Sequence, residues 1–165
     1  MKIAVVCANG KVGKLVVKEA MKRGLDVTAI VRGENKSLAE HTIIKDLFDL
    51  KKSDLDSFDT VVDAFGTWNP ESLTQHSTSL KKLCDLLSGT NKRLIVVGGA
   101  GSLYVNPEHT LQLMDTPDFP DMFKPLASNM GKALEELRSR DDVRWTYISP
   151  AGDFRQMVRN AENTY

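Results

Sequence analysis

An apolar run, Ile3 to Val6, leads directly into Cys7-Ala8-Asn9-Gly10-Lys11-Val12-Gly13, and a helical pattern follows at once. A buried strand, a tight glycine-bearing turn and a helix start, in that order, leave few folds open. Such a turn exposes backbone N–H groups, and the helix N-terminus adds partial positive charge. Its glycines let the backbone approach a phosphate and let the helix pack against the strand. The opening segment therefore predicts an α/β fold whose first strand delivers the chain to a diphosphate-binding turn.

The rest of the chain repeats the alternation. Ile3–Val6, Val27–Val31, Thr60–Ala64, Leu94–Val97 and Trp145–Ile148 have the short, β-rich character of buried strands, and Thr42–Ile44 is a weaker one. Between them run stripes at helical spacing: Val12, Leu15, Val16 and Ala20; Leu80, Leu83, Cys84 and Leu87; Met130, Ala133, Leu134 and Leu137. Gly24 and Gly89 fall where helix C-terminal caps are expected. Alternating βαβ units predict a doubly wound parallel sheet with helices on both faces. Right-handed crossovers that start from a phosphate turn favour the Rossmann strand order 3-2-1-4-5-6.

The chain of 165 residues is expected to form one domain over 1–165. Segment 98–124, with Pro107, Pro117 and Pro120, is too long for an ordinary βα loop and too proline-rich for one helix. It leaves the carboxyl end of a strand, where open sheets place their ligands, so it is expected to line a substrate or to cover the core. Residues 155–165 are polar and read as a loose tail. Formal net charge is zero, from 22 basic and 22 acidic residues, which gives no electrostatic case for nucleic acid or an anionic membrane. No apolar run approaches the roughly 18 residues of a bilayer span, and no signal-peptide pattern precedes the first strand. A cytoplasmic protein, a monomer or weak homodimer, is the default expectation. Cys7 and Cys84 belong to no ligand cluster, so no metal is expected. Cys7 fits either a thiol beside a cofactor or a small residue filling the turn. Cys84 belongs to the core stripe.

Several places bear on a dinucleotide beyond Ala8, Asn9, Gly10, Lys11, Val12 and Gly13. The second strand ends at Arg32, where a preference for the unphosphorylated cofactor usually brings an Asp or Glu to the ribose 2′-hydroxyl. A guanidinium there can pair with a 2′-phosphate and stack on adenine, which favours NADP(H); the alternative is a solvated arginine at a strand end. Asp46 can accept from the adenine amino group with Leu47 supplying apolar surface, or Asp46 or Asp49 can cap the short helix that follows. Ala64, Phe65 and Gly66 end the fourth strand, and the two small residues would let a ribose approach the backbone. Phe65 and Trp68 could wall the pocket or simply pack. The glycines of Gly98-Gly99-Ala100-Gly101-Ser102 demand an unusual backbone or a close ligand. Ser102 is the best-placed hydroxyl for orienting a substrate. The histidines lie in separate segments without ligand spacing: His109 could reach an acceptor, His76 caps or packs, and His41 is expected at the surface. Asp141-Asp142 reads as a turn.

Together these residues resemble the atypical NAD(P)H-binding branch of the short-chain dehydrogenase/reductases, in the NADH-flavin reductase group that is similar to biliverdin-IXβ/flavin reductase. The resemblance runs from Met1 to about Phe154. It is most specific at Lys2–Gly13, Asp63–Gly66 and Val96–Pro125, the last containing Gly98-Gly99-Ala100-Gly101-Ser102-Leu103-Tyr104 and Asp115-Thr116-Pro117-Asp118-Phe119-Pro120. Ser149-Pro150-Ala151 fits the loop that meets the nicotinamide in such proteins. The pattern is broken in three places. Cys7 stands at the first glycine of G-x-x-G-x-x-G. The Tyr-x-x-x-Lys pair is replaced by Ser128-Asn129-Met130-Gly131-Lys132, with Ser128 and Lys132 on one helical face. Related proteins also continue for several tens of residues past Ser149-Pro150-Ala151, adding a strand and a lid.

The resemblance implies an NAD(P)H-dependent reductase that passes hydride to FMN, FAD or a similarly conjugated small-molecule acceptor. Ser102 would hydrogen-bond the acceptor, and Tyr104, His109, Phe119 and Pro150 would line its pocket. Absence of Tyr-x-x-x-Lys counts more against carbonyl reduction than against flavin reduction, because the cofactor carries the chemistry. The alternative is a non-catalytic NADP(H) sensor or regulator. An extended-branch epimerase needs a larger substrate domain than this length provides.

Overall fold

The computed structural model describes residues 1–151; the expected tail at 155–165 lies outside them. Six strands form one parallel sheet: β1 (Lys2–Val6), β2 (Asp26–Val31), β3 (His41–Ile44), β4 (Thr60–Asp63), β5 (Arg93–Val97) and β6 (Arg144–Ile148). Their spatial order is β3-β2-β1-β4-β5-β6, the doubly wound order expected. Four helices connect them: α1 (Lys11–Lys22), α2 (Lys52–Leu55), α3 (Gln75–Leu87) and α4 (Lys124–Arg138).

Strand alternation divides the core in two. Ala4, Val6, Ile30, Val61, Leu94 and Val96 face one way and meet Leu80, Leu83, Cys84 and Leu87 of α3 with Ala133 and Leu137 of α4. Ile3, Val5, Val27, Ala29, Val31 and Val62 face the other way and meet Val17 and Ala20 of α1. The stripes expected on α3 and α4 are thus core. The stripe on α1 is displaced: Leu15 is 55% exposed, and the buried seam is Gly13, Val17 and Ala20. Those three lie at i, i+4 and i+7, and the tight contact of Gly13 with the preceding turn fixes which face turns inward. Beyond the reach of α1, the second face is less covered; Ile148, in register with Val97, remains 48% exposed. Gly24 and Gly89 adopt positive φ just past α1 and α3, as C-terminal caps.

The turn after β1 is held by its own backbone. Gly10 N–H donates to Cys7 O at 2.9 Å, and Lys14 N–H donates to Gly10 O at 3.0 Å. A Cβ added to Gly13 would lie 2.5 Å from Cys7 O and 2.8 Å from Ala8 Cα. Nothing but glycine fits without moving the turn. Cys7 itself has φ 59°, the left-handed region. A residue with a side chain thus holds a conformation that glycine adopts freely. Strain from a Cβ here is about 1–2 kcal/mol. Burial of the thiol against the β1–α3 core works in the opposite direction.

The excursion after β5 is neither a helix nor a plain loop. Three 3-10 turns, Ala100–Ser102, Leu113–Asp115 and Asp121–Phe123, punctuate it. An isolated antiparallel bridge joins Tyr104 to Gln112. The bend between them is organised by Asn106, whose Oδ1 accepts from Thr110 and Leu111 N–H at 3.0 and 2.8 Å.

Thermal or denaturant melts test this account of the turn. Gly13→Ala is expected to cost about 1–3 kcal/mol, because its methyl meets backbone that cannot rotate away. Cys7→Gly is expected to change stability by less than about 1 kcal/mol, since relief of strain and loss of burial oppose each other. Leu15→Ala is expected to cost less than about 0.5 kcal/mol, and Val17→Ala at least about 1 kcal/mol, which the unrevised stripe would reverse.

Candidate functional site

The carboxyl ends of β1, β2, β4, β5 and β6 converge on one edge of the sheet. At β1 the turn presents a helix start with no competing anion. The N-cap Gly10 has no side chain, and the first turn of α1 holds no acidic residue. The backbone N–H groups there are left for a ligand, and the macrodipole favours a negative one. Gly10 and Lys11 are exposed, Val12 is half-buried and Ala8 is buried. Asn9 does something the sequence did not signal. Its Nδ2 donates to Glu34 O at 2.8 Å, and its Oδ1 accepts from Lys36 N–H at 2.7 Å. The side chain clips the β2–β3 loop to the turn after β1. Arg32, exposed at the start of that loop, is thereby held beside the turn.

Asp46 takes the capping alternative: Oδ1 accepts from Phe48 N–H at 2.9 Å. Leu47 is buried among the β1–α3 core residues, so its side chain faces the protein interior. At the end of β4, Ala64 N–H donates to Val6 O at 3.2 Å, tying this loop to the turn. A Cβ on Gly66 would meet nothing within 4 Å, so its small size serves no packing need in the protein. Phe65 packs edge-on against His76, with ring centroids 5.5 Å apart. Trp68 is 72% exposed and meets Phe123 edge-on at 5.8 Å, so the excursion and the β4 loop share an aromatic rim.

The glycines after β5 have a cause that the sequence reading did not anticipate. A Cβ on Gly98 would lie 2.0 Å from Tyr147 Cζ, one on Gly99 would lie 2.9 Å from Met130 Sδ, and one on Gly101 would lie 2.8 Å from Ala127 Cβ. The close neighbours are side chains of β6 and α4. Expectation of an unusual backbone or a close ligand is corrected to that extent, and none of these three glycines has positive φ. Tyr147 is a phenol that sequence spacing missed, because it sits on β6 rather than on a helix with a lysine. Its hydroxyl accepts from Gly99 N–H at 3.3 Å, and burial raises its pKa. Alternation on β6 was the only available signal: Trp145 and Tyr147 share the face turned to α4.

Ser102 is nearly buried, with Oγ 3.4 Å from Gly99 O and 3.5 Å from Ser149 Oγ. Both contacts are long, which leaves the hydroxyl free to turn to another partner. Pro150 follows Ser149 at this edge. Tyr104 is exposed and lies against His109 at 5.5 Å, while Phe119 is half-buried in the excursion. His109 has φ 54°, a left-handed turn residue. Ser128 is exposed, and Lys132 is 4.0 Å from Glu136 on the solvent side of α4, so these two form no reactive pair. His41 is exposed on β3, and Asp142 is part of a turn that receives Arg140 at 2.6 and 2.8 Å.

Burial shifts the titratable groups at this edge. The Cys7 thiol is pushed up to about 12, by desolvation first and by the Asp63 carboxylate second. It is protonated at neutral pH, and burial works against a thiolate there. Asp63, 4% exposed, is pushed up to about 6 by desolvation against one hydrogen bond from Phe65 N–H at 2.9 Å. Burial lowers His76, whose Nε2 is 3.1 Å from Thr67 O. Among the described residues no group of three or more His, Cys, Asp or Glu could hold a metal ion, and no helix is long and apolar enough to cross a membrane.

Comparison with known proteins agrees with this geometry. The NAD(P)H-binding family matches residues 7–155. The curated protein YwnB of Bacillus subtilis, itself uncharacterized, is 45% identical over 157 residues, covering 93% of this chain and 73% of that protein. The crystal structure of SP1627 from Streptococcus pneumoniae, a "putative NADH-flavin reductase", is 54% identical with TM-score 0.90, again covering 93% of this chain and 73% of that one. A short-chain dehydrogenase/reductase superfamily protein from Agrobacterium tumefaciens, solved with bound NAD, shares the fold at TM-score 0.66 and 20% identity, covering 90% of this chain and 48% of that one. With a glycine-closed turn after β1, strand order 3-2-1-4-5-6 and a family match over most of its length, the chain belongs to the NAD(P)H-binding family.

Proposed function

We propose that this protein is an NADPH-dependent reductase whose acceptor is a flavin or a similarly conjugated small molecule. The observation that carries the dinucleotide is the turn after β1: Gly13 has no room for a side chain, and the helix behind it starts with uncapped N–H groups. A diphosphate fits there on Ala8, Asn9, Gly10, Lys11, Val12 and Gly13. Arg32 would pair with a 2′-phosphate, a reading supported by the Asn9 clip that ties its loop to the turn. Ala64 and Gly66 let a ribose lie against backbone, and the open face of Gly98 and Gly99 is where the nicotinamide end would lie. When bound, the dinucleotide supplies a hydride from its nicotinamide ring.

What the chain itself contributes is position. The likeness to SP1627, a "putative NADH-flavin reductase", and the residues that surround the strand ends support an oxidoreductase with a small-molecule acceptor. Ser102 donates to the acceptor once it gives up its long contacts to Gly99 and Ser149. Tyr104, His109, Phe119 and Pro150 form the wall, and the Trp68–Phe123 pair gives a conjugated ring an aromatic edge to meet. The exposed Ser128 and Lys132 rule themselves out as a substitute for the phenol and lysine of carbonyl reducers. The same absence favours the second reading, a non-catalytic NADP(H) sensor that reports cofactor state to a partner.

Mixing the protein with NADPH and FMN and following absorbance of the reduced cofactor separates the two. The reductase predicts turnover that drops by about 10² in Ser102→Ala with little change in NADPH affinity. Tight binding without oxidation of any flavin or quinone supports the sensor. Titration of NADPH against NADH tests Arg32: NADPH is expected to bind at least about tenfold tighter, and Arg32→Ala is expected to erase the difference. An unmutated protein that does not distinguish the two cofactors refutes that role.

A further inference from the structure

One buried group has no structural role that demands its chemistry. Val61 faces α3 and α4, Val62 faces α1, and alternation returns Asp63 to the α3–α4 side, where a hydrophobe would continue the core. One carboxylate oxygen accepts from Phe65 N–H. An asparagine or a serine could make that bond without a charge. Among the described residues no Lys, Arg or His forms an ion pair with Asp63. A buried carboxylate without a cation is costly, so its ionisability calls for a cause.

Beside it lies a second unfulfilled group. Ser79 on α3 is 1% exposed, and its Oγ has no hydrogen-bond partner in the protein. Asp63, Ser79, His76 and Tyr147 all line one small cavity, floored by Leu80 and Ala133 and reaching Gly98 at the end of β5. It offers about 20 Å³ to the centre of a water molecule, enough for one. Such a water could satisfy Ser79 and the second Asp63 oxygen together. His76 is neutral, with one ring nitrogen committed to Thr67 O, and Tyr147 keeps its own proton to donate.

The cavity lies at the carboxyl ends of β4 and β5, and β4 is the strand next to β1. Asp63 is in register with Val6, the residue before the turn, and Ala64 N–H donates to Val6 O. Charge is felt across this short span: Asp63 acts on the Cys7 thiol, on Cys84 of α3 and on Tyr147 of β6. The titratable groups facing Asp63 are these three and His76, none of them a cation at neutral pH. Arg32 and Asp46 bear on Cys7 at the far side of the turn with opposite signs.

We propose that Asp63 is the proton-exchanging group of the dinucleotide site: seating the anionic diphosphate on residues 8–13 draws a proton from solvent onto Asp63, with Ser79 and one cavity water as its hydrogen-bond partners. This rests on the dinucleotide reading above. The step forms one O–H bond on the carboxylate and consumes one solvent proton; nothing is oxidised or reduced. Its driving force is electrostatic. Added negative charge across a low-dielectric span disfavours the carboxylate, and the free protein already holds Asp63 close to half-protonation near pH 6. Protons taken up on binding make affinity fall as pH rises through and above that region.

Calorimetric titration with NADPH at about pH 6.5, in two buffers of different ionisation enthalpy, counts the protons directly. The 2′-phosphate, which sheds part of its proton when it pairs with a cation, contributes equally to all variants, so the difference between variants reports Asp63. The unmutated protein is expected to take up a few tenths of a proton more per dinucleotide than Asp63→Asn. Ser79→Ala, which keeps the carboxyl, is expected to retain the excess. Equal uptake in the unmutated protein and Asp63→Asn overturns the proposal while leaving the dinucleotide reading intact. Absence of any binding heat removes both. If Asp63→Asn fails to fold, infrared difference spectra of the unmutated protein decide. Asp63 is the only buried carboxyl among the described residues, so a protonated-carboxyl band that titrates near pH 6 and persists to higher pH with NADPH supports the proposal. A band indifferent to NADPH overturns it.

Discussion

The contact on which this structure depends is between two pieces of backbone. The first turn of α1 lies so close to the end of β1 that Gly13 has Cys7 O and Ala8 Cα where its own Cβ would be. That approach sets the angle at which α1 leaves the strand. It decides that Gly13, Val17 and Ala20 face the sheet while Leu15 faces water. It also brings the uncapped N–H groups of α1 to the sheet's carboxyl edge, where β4 and β5 deliver their own loops. Helix packing and anion binding are consequences of one steric fact, which is why a single methyl group at Gly13 threatens both.

A second set of close approaches shapes the other half of the same edge, by different means. At β5 the neighbours of the glycines are the Tyr147 ring, the Met130 thioether and the Ala127 methyl. Here backbone is pressed from one side by side chains of β6 and α4, which pins the chain before it departs on its excursion. Small residues on both halves therefore look alike in sequence and differ in cause. At β1 backbone meets backbone, and at β5 backbone meets side chain. The second arrangement tolerates compensation, because a smaller residue at 147 or 130 would make room, whereas no substitution can move Cys7 O.

The sequence carried the architecture because its signals were local and redundant. Every strand was found within one residue of its observed limits, since short β-branched runs between helical stripes have few other readings. The stripe of α1 holds at Ala20 and is rotated at its start, because Leu15 satisfies helical spacing as well as Val17 does. Only the turn before the helix chooses between them. Asp46 was open between adenine and cap, and the backbone N–H of Phe48, two residues away, takes it. The Asn9 clip and the cavity beside Asp63 were invisible, and the role of the Tyr147 phenol showed only as an alternation on β6. Each joins residues 25 or more positions apart or on different elements, and no pattern within a segment encodes such a meeting.

These two halves imply different freedoms for the two ligands of the proposed reaction. Dinucleotide contacts would fall mostly on backbone groups fixed by the sheet, the Gly13 approach and the Asn9 clip. They leave little to vary except the residue at 32, where charge selects between phosphorylated and unphosphorylated ribose. Acceptor contacts would fall on side chains of residues 98–123. That stretch holds its shape through 3-10 turns, one isolated bridge and the Asn106 bend rather than through the sheet. Side chains there can change without disturbing the core, so in the proposed reaction acceptor choice would lie in the excursion and cofactor choice at residue 32, beside the fixed backbone. Ser102 stands at the joint between the two. It is the last residue of the 3-10 turn that begins the excursion, and its hydroxyl still touches Gly99 at the strand end. A hydroxyl in that position is located by the rigid half and directed toward the variable one, which is the placement an orienting group requires if chemistry is to be preserved while the acceptor changes.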